Sequence, residues 1–191
     1  TYWGGLLPLL NPFSILAGLV FVALFSLHGA NFISLKIEGE LAQRAKNIAL
    51  RLWLAATLLT VAFVVWAFFA TDILTKSGIN GLIPAILAAI ALLLCGFFLW
   101  KNKNGWAFIM SSLTIVFATV MVFAGLFPRI LISTLNPAYS LDIWNAASSQ
   151  YTLTIMTFVA GIFVPIVLVY QIWTYYIFRK RITTDSKSLV Y

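Results

Sequence analysis

The sequence is poor in the residues that do chemistry. It has one cysteine, Cys95, and one histidine, His28, in 191 residues. One thiol makes no internal disulfide. A structural zinc site takes about four nitrogen or sulfur ligands, and a bis-histidine haem takes two imidazoles, so neither is built from this chain alone. There is no C-x-x-C-H haem attachment site. G-x-S-x-G, Walker A, H-E-x-x-H and G-x-G-x-x-G patterns are also missing. Charge is equally scarce, at 9% of residues against about 25% in an ordinary globular domain. Only 5 residues are acidic. So few polar groups do not cover a soluble particle of this size, which excludes a soluble enzyme, a disordered chain and a nucleic-acid-binding domain.

Apolar residues are abundant instead, at 62% of the chain. A membrane-spanning helix needs about 20 of them in a row. Five uncharged stretches qualify, at approximately 12–35, 52–71, 82–100, 105–128 and 151–178. Their Leu, Ala, Phe and Val content suits helices, and the short alternating segments of a β-barrel are absent. The expected fold class is therefore all-α, a polytopic integral membrane helix bundle in a single membrane domain, 1–191. The opening Thr1-Tyr2-Trp3-Gly4-Gly5 has no methionine and no basic segment, so it reads as a portion of a longer chain and not as a signal peptide.

The net charge of +7 is distributed by side. Ten cations fall on one set of alternating connections: Lys36, Arg44, Lys46, Arg51, Lys101, Lys103, Arg179, Lys180, Arg181 and Lys187. Two, Lys76 and Arg129, fall on the other. The excess of cations in cytoplasmic loops places the first and third links and the C-terminus in the cytoplasm, and the start of the chain outside. Trp53, Trp100, Trp106 and Trp173 fall near the cytoplasmic span ends, where amphipathic rings favour the headgroup level. Asn136-Pro137 signals a turn in the long link before the last span. Ser148 and Ser149 read as helix N-caps, and Pro165 predicts a kink within the last span.

Polar groups at membrane depth are costly and mark function or packing. His28 is the one ionisable side chain inside a span other than the thiol of Cys95, which reads as a small buried hydrophobe. Asn31, three residues on, shares its helix face. Packing through hydrogen bonds, haem ligation and proton relay are all open to His28. Gly29 and Ala30 beside it favour a polar contact at a helix or subunit interface. Ser111 and Ser112 open the fourth span and read as close-packing positions, as do Ala85 and Ala89 in the third. No catalytic, cofactor-binding or metal-binding residue is assigned.

Several stretches carry a family resemblance. Asn11-Pro12-Phe13-Ser14-Ile15-Leu16-Ala17-Gly18-Leu19, then Leu27-His28-Gly29-Ala30-Asn31-Phe32 and Leu35-Lys36-Ile37-Glu38-Gly39, resemble subunit II of cytochrome bd-type quinol oxidases. So do the run from Gly105-Trp106 to Ser112-Leu113, the run from Ser140-Leu141-Asp142 to Ser149-Gln150, and the ending from Pro165 to Tyr176. Their order and spacing over almost the whole chain are more specific than any single piece.

The resemblance implies a heterodimer of related subunits, each with two four-helix bundles and a peripheral helix. This chain would be the C-terminal half, one four-helix bundle plus the peripheral helix. The b-type and d-type haems and the quinol-oxidising loop would belong to the partner, subunit I, with none bound by this chain. A small single-helix subunit and lipid or quinone are further expected partners, and nucleic acid is not. The setting would be a bacterial or archaeal plasma membrane. The implied function is a non-catalytic membrane subunit of a terminal quinol:oxygen oxidoreductase in aerobic respiratory electron transport. The alternative is a secondary transporter or permease fragment, which Pro165 and His28 favour and the lack of carboxylates within the spans opposes.

Overall fold

The computed structural model describes residues 10–75, 79–133 and 136–180. The sequence features at Thr1–Gly5, Lys76, Arg181 and Lys187 lie outside them. Among the described residues, five helices are long and apolar enough to cross a membrane: α1 Pro12–Lys36, α2 Glu40–Ala70, α3 Leu82–Trp100, α4 Asn104–Leu126 and α5 Gln150–Ile177. The chain forms two compact units, one holding α1–α4 and the other running from Phe127 to Arg181.

Helix starts and stops follow local chemistry. Asn11 caps α1: its side-chain oxygen accepts from the Ser14 amide at 2.8 Å, and Pro12 occupies the first turn, where its missing N–H costs nothing. Gly39 separates α1 from α2 with φ of 77°, a left-handed conformation that suits a residue without Cβ. α2 then begins twelve residues before the expected span at 52. The stretch Glu40–Arg51 is rich in helix formers, and it continues the helix beyond the apolar run because hydropathy measures the bilayer and not the helix. Glu40 favours the N-terminal end of that helix electrostatically. α4 stops at Leu126, two residues early, because Pro128 cannot extend a helix and disfavours the helical region for Phe127.

In the first unit, α1 packs along α2 and α3 along α4, and α1–α4 and α2–α3 contacts close the ring of four. Small residues fill the interior: Ala49, Ala56, Cys95 and Ala107 are fully buried, while Leu58, Phe69, Ile83 and Phe123 stand on the outside. Size rather than polarity sorts inside from outside, as expected where lipid is as apolar as leucine and close backbone approach drives association. The buried row on α3 is Ala85, Ala88, Leu92, Cys95 and Leu99; Ala89 is exposed, so the expected Ala85–Ala89 pair does not form one packed face.

In the second unit, Arg129–Leu131 (β1) pairs antiparallel with Leu141–Asp142 (β2). Between them Asn136 accepts from the Ala138 amide at 2.9 Å at the start of a short 3-10 turn, Pro137–Tyr139. Asp142 accepts from the amides of Trp144 and Asn145 at 2.9 and 2.8 Å. Ser149, not Ser148, caps α5 by accepting from the Thr152 amide. α5 runs on through Pro165, and none of its residues is buried.

Candidate functional site: a polar seam in the bundle

Three polar side chains of α1, His28, Asn31 and Ser34, fall at i, i+3 and i+6 on one helix face. The bundle turns that face inward. Asn31 and Ser34 are 0% and 3% exposed. His28 Nδ1 lies 2.9 Å from Ser111 Oγ of α4, and the imidazole stacks on Phe108 with ring centres 4.6 Å apart. Ser111 Oγ also lies 2.9 Å from the Phe108 carbonyl, so its one hydroxyl hydrogen serves either that carbonyl or His28 Nδ1, and the donor in the His28–Ser111 pair follows the imidazole tautomer.

One turn further along α1, Asn31 Nδ2 donates to Cys95 Sγ of α3 at 3.5 Å. Ser34 Oγ donates to the Asn31 carbonyl at 2.9 Å, and the Ser34 carbonyl accepts from Asn104 Nδ2 at 3.5 Å. The seam reaches the end of the bundle where Lys46 Nζ donates to Asn102 Oδ1. Two side-chain oxygens within it, Asn31 Oδ1 and Asn104 Oδ1, are buried and have no partner among the described residues. Each such group costs about 1–3 kcal/mol if it stays unpaired.

The four polar positions singled out in the sequence therefore separate. His28 and Ser111 meet. Asn31 turns to Cys95. Ser112 bonds the Phe108 carbonyl of its own helix at 2.9 Å, a local interaction that joins no second helix. Ser34 and Asn104 were missed, although the i+3 step from Asn31 to Ser34 was available as a signal. Trp53 also departs from expectation. Its indole lies inside against Gly96, where a Cβ would overlap the ring, and Nε1 donates to the Leu92 carbonyl at 2.8 Å. An indole N–H away from water needs such a partner.

The other end of the bundle is different. A cavity of about 300 Å³ opens between the four helices, lined by residues such as Ala17, Leu24, Val64, Ala88 and Met121. Its polar side chains are Thr57, Thr60 and Thr114. Thr57 and Thr114 bond carbonyls four residues back, and Thr60 Oγ1 has no partner among the described residues. Neither His28 nor Cys95 lines it. No group of three or more His, Cys, Asp or Glu side chains able to hold a metal ion occurs among the described residues.

A helical scaffold of this kind fits many membrane proteins, and comparison with known proteins narrows it. The family model for cytochrome bd terminal oxidase subunit II matches residues 1–178. The chain belongs to that family. Among subunit II relatives, it is 36% identical to the Bacillus subtilis (strain 168) cytochrome bd ubiquinol oxidase subunit 2, over 91% of this chain and 52% of that protein. It is 32% identical to the Escherichia coli (strain K12) cytochrome bd-I ubiquinol oxidase subunit 2, over 97% of this chain and 56% of the other. A probable cytochrome oxidase subunit 2 of Haemophilus influenzae is 30% identical over 92% of this chain and 54% of its own length. The chain thus spans about half the length of the curated subunit II relatives it matches. The seam and the cavity both lie inside a subunit II segment.

Proposed function

We propose that this segment is the C-terminal part of a non-catalytic subunit of a bd-type terminal quinol oxidase, supporting a haem-bearing partner in the plasma membrane. The family match over residues 1–178 carries the reading. The side-chain chemistry supports it. The single imidazole is tied to Ser111 and stacked on Phe108, and the bundle's cavity reaches neither it nor the thiol. In this reading the haems sit in the partner, and an imidazole already bonded to Ser111 within the bundle supports it. The lysine-rich end of the bundle, with Lys36, Lys46, Lys101 and Lys103, faces the cytoplasm on the charge asymmetry. In this reading α5 is the peripheral helix of the subunit and meets lipid or the partner. The transporter alternative has no relative in its favour.

Co-expression tests the reading. The full-length subunit and its haem-bearing partner should co-purify as a complex with haem d absorption and quinol oxidase activity. A fully active, haem-replete partner made without this subunit would overturn it.

A further inference from the structure

We propose that the polar seam is a hydrated track, in which ordered water enters at the lysine-rich end of the bundle and reaches the level of His28. Asn31 and Asn104 each hold one amide proton donor in a hydrogen bond and leave the oxygen buried without a donor. Exchanging the amide oxygen and nitrogen of Asn31 lets the Cys95 thiol donate, but it orphans the NH₂ group instead, so the residue is short of one partner in either orientation. The two amides are not independent. Ser34 links them, its hydroxyl on the Asn31 carbonyl and its own carbonyl on the Asn104 NH₂. A buried water takes two to four polar partners. Asn31 Oδ1, the second lone pair of the Ser34 carbonyl and Asn104 Oδ1 supply acceptors for water hydrogens, and Cys95 Sγ–H supplies a donor.

The path is short. His28 precedes Lys36 by eight residues, about 12 Å at 1.5 Å per residue. Its far end is the imidazole, whose Nδ1 is held by Ser111. Beyond it the lining turns apolar, with Val20, Ala23 and Leu24 buried one and two turns away. The track therefore admits water partway into the bundle without crossing it. This gives the chain a solvent connection that a purely packing scaffold lacks. Haem content of the complex does not depend on it, so its failure leaves the scaffold reading standing.

Cys95 is the reporter. In the assembled full-length complex transferred to D₂O, the infrared S–H stretch of Cys95, identified by subtraction of the Cys95→Ala complex, should convert to S–D while the protein stays folded. Asn31→Leu should slow that conversion about tenfold. Asn104→Leu, at the loop end of the track where folding is less at risk, should slow it similarly. A thiol that remains protiated until the complex is unfolded would overturn the proposal, and so would exchange at the native rate in a folded Asn104→Leu complex.

Discussion

At the end of the bundle that carries Lys36 and Lys101, side chains bond across α1, α3 and α4: His28 to Ser111, Asn31 to Cys95, and Asn104 to the Ser34 carbonyl. At the opposite end the same four helices meet through alanines, threonines bonded to their own helices, and a cavity of about 300 Å³. Hydrogen bonds fix distance and angle, so the helices they join are held in one register. Apolar contacts between helices in a bilayer lack the driving force that water provides, and they tolerate gaps. The polar half is the tight one in the sense that hydrogen bonds tie its helices, and the apolar half is the loose one because it holds the cavity, even though Gly125 there is closed against Ile73. Specificity of helix pairing in this chain accordingly rests on the lysine-rich half.

The largest effect is expected at Gly96, where the tight half has no room for a Cβ. Gly96→Val places a branched side chain into the Trp53 indole, which is itself anchored on the Leu92 carbonyl. Overpacking of this severity should destabilise the folded protein by about 3 kcal/mol or more, seen as a lowered denaturant midpoint in mixed micelles. The same class of change should reverse sign between the halves. Ala107→Leu, at a fully buried position outside the cavity lining, should cost about 1–3 kcal/mol. Ala88→Leu, which points into the cavity, should be neutral or stabilise by up to about 1 kcal/mol. Equal losses in both variants would abolish the distinction.

A double-mutant cycle sharpens the comparison. His28→Phe and Ser111→Ala, measured singly and together, should return a coupling of about 0.6–1.7 kcal/mol, the range for interhelical hydrogen bonds in membranes. A matched cycle on Thr114→Val and Val20→Ala, both in the loose half, should return less. A coupling near zero for His28 and Ser111 would place the tightness of that half in its small residues alone.

How much of this was readable in advance depended on range along the chain. Five spans followed from uncharged runs, because a bilayer imposes one length and one polarity on every crossing. The start of α2 at Glu40 did not follow, because residues 40–51 obey helix propensity outside the bilayer. His28 and Asn31 were visible as one face because they are three residues apart. That His28 meets Ser111, across 83 residues, was not. Trp53 was placed among the interfacial rings from its position at a span end. Gly96, 43 residues later, is what draws it inward, and only the packed helices bring the two together. The cavity was invisible for the same reason: it is a sum of side-chain volumes from four helices.

The smallest expected effect tests whether charge adds to the tightness of the lysine-rich half. Arg44 and Glu40 form an ion pair one turn apart on α2, 2.6 Å between Nη2 and Oε1, with side chains 67% and 79% exposed. Both charges stay in contact with water, so the attraction is screened and the long side chains lose entropy in holding one geometry. Both partners also sit on one helix, so their pairing joins nothing to a second. Arg44→Ala should therefore change stability by no more than about 0.3–0.5 kcal/mol, shrinking further in high salt, and the coupling between His28 and Ser111 should be unaffected by it. A larger loss that salt does not reduce would mean that Arg44 reaches a buried partner in the assembled complex, and the polar seam would then extend beyond the bundle along α2.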